Sequence, residues 1–501
     1  MRARRIIGTF PGTWAVVLVL SAGLSSAETR NPLIDAVKNG SREAVRTLIK
    51  DRSLVNAPAA DGATALHWAV RADDVEIVRT LLGAGANVRA ADRYGITPIF
   101  LAAENGSASM IDLLLQAGAD PNATLPEGET VLMRAARTGR PEALRALIAR
   151  GADVHARQER FGETALMWAA AQNNAAAVRV LAEAGADLNA TSDVLKFPEF
   201  KFITSGMVTT ALPRGGWTAL MYAARQGSIE AAEALADAGA DLNRTDPEGG
   251  TALILAIINA HFDLAAALLR KGADPNIADI TGMTALYAAV DMNTLGPMLS
   301  RPGPKITDKL DAADLAKVLL EHKADPNARL KRPILGRHHD SGDASLGEGT
   351  TPLMRAAKTV DVRVMRLLLE GGADPTLTQR DYTTPLMIAL GGSRGGPAAA
   401  EGTIIEALQL FLDYGADVDA FNANGQTAVH LAAQRGADSV VKFLAERGAK
   451  LDMKNKQGRT PLDLALGVGG GGRGGPAGPA GARESTAVLL KQLLAAREAA
   501  K

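Results

Sequence analysis

Residues 94–126 read YGITPIFLAAENGSASMIDLLLQAGADPNATLP, and the fold is decided in this stretch. Thr97 stands where a helix begins, and its hydroxyl can accept from an open backbone N–H of the first turn. Pro98 occupies the first helical position, where its missing N–H costs nothing and its φ is already helical. Ile99, Leu101 and Ala102 begin a buried face, and Gly106 ends this short helix. Met110, Ile111, Leu113, Leu114 and Leu115 fall at helical spacing in a second helix. Gly118 takes the left-handed position that closes it. Asp120-Pro-Asn then leads into an extended finger, which turns back at a glycine before the next threonine.

The phrase returns about every 33 residues. It reads TALHWAV at Thr64, TVLMRAA at Thr130, TALMWAA at Thr164, TALMYAA at Thr218, TALILAI at Thr251 and TALYAAV at Thr284. It continues as TPLMRAA at Thr351, TPLMIAL at Thr384, TAVHLAA at Thr427 and TPLDLAL at Thr460. A closing phrase keeps step with it: GAGANVRA at 83–90, RKGADPNI at 270–277, DYGADVDA at 413–420. A fixed period of this size means stacked units, each burying its apolar face only against a neighbour. The two linked motifs resemble the ankyrin repeat, from about Asn31 to the C-terminus. The resemblance implies an all-α repeat solenoid of stacked helix-turn-helix units with extended finger loops. It also implies a non-enzymatic scaffold that binds other proteins.

Spacing locates the insertions. Threonine to the closing aspartate is normally 23 residues, as from Thr97 to Asp120, and aspartate to the next threonine is 10. Longer intervals place extra residues near 191–215, 293–310, 328–348 and 391–400. Twelve units result: a capping repeat at 28–60, the array at 61–458, and a C-terminal capping repeat at 459–501. The last holds a Gly/Pro-rich insertion at 467–482 and a final helix at about 485–499.

Residues 1–27 stand apart. Arg2, Arg4 and Arg5 precede an apolar run from Trp14, and small residues lead to Ala27. This is the layout of a secretory signal peptide. Its apolar run, 14–24, is too short for the roughly 20 residues of a membrane span. Cleavage is expected after Ala27, leaving no stable membrane span and a periplasmic or secreted protein. Lys+Arg and Asp+Glu are both 55, so no global field favours nucleic acid. The chain has no cysteine, which excludes disulfides, a lipid-modified N-terminal cysteine and c-type haem. Hydrophobic residues make up 47% and aromatics only 4%, so Ala, Leu, Val and Ile must build the interior.

Five methionines, Met133, Met167, Met221, Met354 and Met387, occupy the place where two other repeats have histidine. They recur one per repeat and cannot converge on one soft metal ion, so they read as core filler. His338-His339-Asp340 with Asp343 carries zinc-type donors in a polar insertion, but reads better as a solvated loop. The glycine-rich runs at 391–397 and 467–482 lack the Lys-Ser/Thr of a phosphate-binding loop. No nucleophile–base–orienter set, cofactor motif or metal motif is present. The insertion at 191–215 is apolar, with Phe197, Phe200, Phe202, Ile203, Met207 and Val208. It is expected to pack on the array, with a partner-docking surface as the alternative.

In the family, finger tips and first-helix surfaces line a concave groove that binds proteins. Matching positions lie just before each threonine and seven or eight residues after it. In the second to sixth repeats they are Arg71, Arg93, Tyr94, Glu104, Asn105, Arg137, Arg160, Phe161, Gln172, Trp217, Arg225 and Gln226. Arginine and aromatic residues dominate interface energies. The expectation is a monomeric scaffold binding another protein. The alternatives are a secreted effector acting on host proteins and an enzyme whose chemistry lies in the insertions.

Overall fold

The computed structural model describes residues 31–194, 202–204, 207–209, 215–294, 308–332, 346–391, 400–467 and 480–499. The expected signal segment, most of the insertions and the His338–Asp343 cluster lie outside them. The fold is an all-α repeat solenoid, built of two compact units divided between Pro98 and Ile99.

Among the described residues, the first unit holds two helix pairs and one extra turn. The helices are Pro32–Lys38 with Arg42–Leu48, the turn Arg52–Val55, and Ala65–Arg71 with Val75–Gly83. Asn31 closes the N-terminal edge. Its side chain accepts from the Leu33 N–H at 2.9 Å and donates to the carbonyls of Leu54 and Ala57. Leu33, Val37, Val45, Leu66, Val70, Val78 and Leu81 make the core.

Among the described residues, the second unit holds ten helix pairs, from Pro98–Asn105, which begins at the division, with Ala108–Gln116 to Pro461–Ala465 with Ala480–Ala499. The threonine of the repeat phrase starts most first helices by accepting the N–H three residues on. Thr130 does so at 3.1 Å, Thr384 at 3.2 Å and Thr460 at 3.2 Å. Thr97 is an exception: its buried hydroxyl has no partner among the described residues. The following proline is not the reason, because Thr351, Thr384 and Thr460 also precede proline and do cap. Alanine pairs such as Ala135-Ala136, Ala169-Ala170 and Ala223-Ala224 are fully buried. Their small side chains let successive first helices approach closely. Second helices supply the bulk, through residues such as Leu114, Leu144, Leu181, Leu235 and Leu368. Each fully buried leucine contributes about 1.5–3 kcal/mol. Leu113, expected in this set, is only half-buried.

The histidine position explains the methionines. His67 and His430 each turn Nδ1 to the backbone N–H of the helix-starting threonine, both at 3.1 Å. Their Nε2 lies 3.0 and 3.2 Å from the carbonyls of Ile96 and Arg459, which can only accept. Nε2 therefore carries the proton and Nδ1 accepts. Met133 fills the same place, with its sulfur 3.4 Å from the Thr130 nitrogen. All five methionines are buried.

A second ladder runs through the closing turns. Asn122 donates to the Gly151 carbonyl at 2.9 Å and accepts from the Asp153 N–H at 2.8 Å. Asn276 makes the same pair with Lys323 and Asp325, and Asn327 with Gly372 and Asp374. Each asparagine thus ties its own turn to that of the next repeat.

Two features differ from the sequence reading. Phe202–Thr204 pairs antiparallel with Met207–Thr209, Ile203 opposite Val208, so the insertion carries a short hairpin. The last helix starts at Ala480 rather than near 485. Ala480, Ala482 and Arg483 are strong helix formers and carry it back through Gly481. Near its other end, Arg497 donates to the carbonyls of Ala445 and Ala449 at 2.8 and 2.7 Å, covering the open end of the preceding helix.

Candidate protein-binding face

In the first helix of each repeat, the fourth and seventh or eighth residues after the threonine share one face, three or four positions apart. The residue just before the threonine lies beside them at the finger base. In the repeats opening at Thr130, Thr164 and Thr218 this face carries Glu129, Arg134 and Arg137, then Glu163, Trp168 and Gln172, then Trp217, Tyr222, Arg225 and Gln226.

These side chains form a continuous chain of contacts. The Arg137 guanidinium lies over the Trp168 ring at 5.9 Å. Trp168 donates its indole N–H to Glu163 Oε2 at 3.0 Å. The Tyr222 hydroxyl donates to Glu163 Oε1 at 2.7 Å. Trp217 meets Tyr222 edge-to-face, with centroids 5.7 Å apart. Arg225 lies over Trp217 at 5.2 Å. Arg137, Glu163, Met167, Trp168, Ala171, Gln172 and Tyr222 line a cavity of about 190 Å³. Burial, aided by the Glu163 carboxylate, pushes the Tyr222 hydroxyl well above the ordinary phenol range, so it stays protonated and donating.

Charge is unevenly satisfied here. Arg134 is bidentate on Glu129, at 2.6 and 3.0 Å, and lies 3.6 Å from Glu104. Glu163 is occupied by its two aromatic donors. The guanidinium groups of Arg137 and Arg225 have no carboxylate partner among the described residues and are held only against rings. Stacking on a tryptophan orients a guanidinium while leaving its N–H edge open. The face therefore presents two open guanidinium edges on rigid aromatic walls, with the Glu163 carboxylate held between them.

The neck of the 191–215 insertion adjoins it. Ser192 donates from its N–H to the Trp217 carbonyl at 3.0 Å, and Gly216 donates to the Ser192 carbonyl at 3.1 Å. The Asp193 N–H reaches the Phe161 carbonyl at 2.7 Å. Arg160 lies over the Phe161 ring at 4.9 Å.

Of the residues singled out from sequence, Arg137, Gln172, Trp217 and Arg225 fall in this contact chain or its cavity. Arg160 and Phe161 form a separate stack beside the insertion neck. Glu104 serves Arg134, and Asn105 and Gln226 are exposed. Arg71, Arg93 and Tyr94 belong to the first unit. There Arg71 and Lys38 both lie over Trp68, at 5.5 and 3.9 Å, and Arg93 lies over Tyr94 at 5.1 Å. Sequence reading missed Lys38, Trp68, Glu163, Trp168 and Tyr222. Trp68, Trp168 and Tyr222 all stand four residues after their threonine, so extending the period count by one position would have found them.

Family comparisons follow the same period. Sequence models described as ankyrin repeats (3 copies) match residues 14–92, 33–125, 99–192 and 397–470. Others described as ankyrin repeats (many copies) match 220–269 and 338–389. The human SH3 and multiple ankyrin repeat domains protein 2 is 33% identical over 148 residues, covering 24% of this chain and 8% of that protein. The human ankyrin repeat domain-containing protein 63 is 34% identical over 137 residues, covering 26% of this chain and 33% of that protein. The chain thus matches a third or less of the length of these relatives. Among solved structures, the human ASB11 ankyrin repeat domain is 28% identical, with a TM-score of 0.40, covering 49% of this chain and all of that one.

Proposed function

The chain belongs to the ankyrin-repeat family, and from this premise we propose that it is a non-enzymatic scaffold whose Arg137–Arg225 face binds another protein. The observation that carries this reading is the contact chain through Trp168, Glu163, Tyr222 and Trp217. It builds a rigid wall and ends at both sides in an arginine without a carboxylate. The partner best suited to it presents an acidic segment with an apolar side chain between its carboxylates. The carboxylates would meet Arg137 and Arg225, and the apolar group would enter the cavity against Trp168.

A photoreactive phenylalanine placed at Gln172 in the native host tests this, with Arg179, exposed on the second helix of the same repeat, as the control position. Crosslinking to one protein from position 172 and not from 179 is expected, lost on Arg137→Ala with Arg225→Ala. Equal crosslinking from both positions rejects the assignment. Truncating a tryptophan anchor such as Trp168 should cost about 2 kcal/mol or more of binding, roughly thirty-fold in Kd.

The setting belongs to the same reading. The basic, apolar and small-residue order of residues 1–27 supports export to the periplasm or beyond, whether to a partner of the same cell or of a host. Mass spectrometry should find the exported protein starting near Glu28. An intact Met1 in a membrane fraction would overturn the assignment.

A further inference from the structure

The glycine two residues before each repeat threonine turns the finger back in a left-handed conformation, as at Gly349 and Gly425, with φ of +87° and +72°. That place is also crowded. A Cβ built on Gly349 would lie 3.2 Å from the Gln379 Cα of the next finger, and one on Gly425 would lie 2.9 Å from the Lys456 nitrogen. In one finger the residue is Tyr382, with φ +62°. It thus accepts both a disfavoured backbone and a Cβ facing the next finger. Burial does not compensate, because Tyr382 is 64% exposed. Left-handed backbone alone does not single out Tyr382, since Lys323 shares it; what does is an exposed aromatic ring held in that place.

The next finger holds a second anomaly. Its position six before the threonine is Ala91, Thr124, Thr245 or Ala278 in other repeats, but here it is Phe421, 60% exposed. Tyr382 and Phe421 face one cavity of about 390 Å³, with Pro375, Ala416 and Ala420 in its wall. Its one charged lining residue is Asp417. Among the described residues, the Oδ1 of that carboxylate accepts the turn N–H of Asp419, at 2.9 Å, and no cation pairs with it. Nearby cations are committed elsewhere: Arg380 to Glu348 at 3.0 Å and Lys450 to Asp419 at 3.7 Å.

We infer that the cavity between the Tyr382 and Phe421 fingers is a second docking site, and that it takes a lysine or arginine side chain from a basic segment of a partner protein. The aliphatic stem lies between the two rings and the charged head meets Asp417. Aromatic walls with one unanswered carboxylate suit a long cationic side chain, whose stem is apolar and whose head is not. The charge preference is opposite to that of the Arg137–Arg225 face, and the inference does not depend on that face.

The test is selection of displayed random twelve-residue peptides on the full chain, followed by anisotropy titration of a labelled peptide from the selected pool. Recovered peptides should be rich in lysine or arginine beside aliphatic residues. Phe421→Ala and Asp417→Asn should each weaken the labelled peptide at least ten-fold, and both positions are exposed, so the fold should persist. Tyr382→Gly should raise the thermal unfolding midpoint while losing binding, a pair of effects that a structural role for the tyrosine would not give. Selection of acidic peptides, binding that depends on Trp168 instead of Phe421, a lowered midpoint in Tyr382→Gly, or no enrichment would overturn the inference.

Discussion

Lys323 shows how far a single residue can depart from its repeat. It closes a second helix where the neighbouring repeats have glycine, and it adopts φ +65°. A left-handed non-glycine residue costs about 1–2 kcal/mol. Glycine's greater freedom in the unfolded chain takes back about 0.5–1 kcal/mol. Lys323 is exposed and loses no burial on replacement. Lys323→Gly should therefore stabilise the protein by up to about 1.5 kcal/mol, read as a higher denaturant midpoint. His67 and His430 make a different prediction. Burial holds both below the ordinary imidazole value of 6.5, so the unfolded chain takes up the proton first. Their contribution is complete above that pH and is lost as pH falls beneath it. His430→Met, the substitution already present at Met133 and Met387, should leave the midpoint less sensitive between neutral and mildly acidic pH. An unchanged slope between pH 7.5 and 5 would refute the assignment. The left-handed turn at 323 is legible because His322-Lys323-Ala324-Asp325 stands where other repeats read Gly-Ala-Asp, as at Gly118. The pairing of Glu163 with Trp168 and Tyr222 is not, because Tyr222 lies 59 residues away across an insertion.

At the scale of the repeat element, the asparagine ladder is the feature most open to measurement. Asn327 gives and receives one bond across to the next closing turn, at 3.0 and 2.8 Å. Both bonds are at least partly exposed, so water replaces some of what is lost. Asn327→Ala should cost about 1–2 kcal/mol, and Asn327→Asp about half of that because the acceptor survives. Asp419 is the natural precedent: it keeps the acceptor bond to the Lys450 N–H at 2.8 Å and, in place of a donor bond, faces the Lys450 ammonium at 3.7 Å. Equal losses in the two variants would show that the donor half contributes nothing. The element boundaries themselves follow from local chemistry, threonine at the start and a left-handed residue at the end. That is why the helix pairs could be read from the period. The orphaned Thr97 hydroxyl and the Phe202–Thr209 hairpin had no such marker, since neither follows from the residues of one repeat.

Across the whole molecule, each repeat draws its stability from its own interior and its immediate neighbours. Insertions can then be carried at finger ends without rewriting the core. The bonds between Ser192 and Gly216–Trp217 join the two ends of the finger that carries the insertion. Excising 195–214 and joining Val194 to Gly215 should leave the helical circular dichroism per residue of the array unchanged. A fall would mean that the insertion is part of the core. The methionines in the capping position carry a further consequence. Peroxide converts a thioether to a sulfoxide only where it can reach the sulfur. Met133, Met167, Met221, Met354 and Met387 are at most 2% exposed, one to a repeat. Their oxidation must wait for local opening. In a chain without cysteine to compete, the rate at which each methionine-bearing peptide gains an oxygen becomes a clock for the breathing of its own repeat.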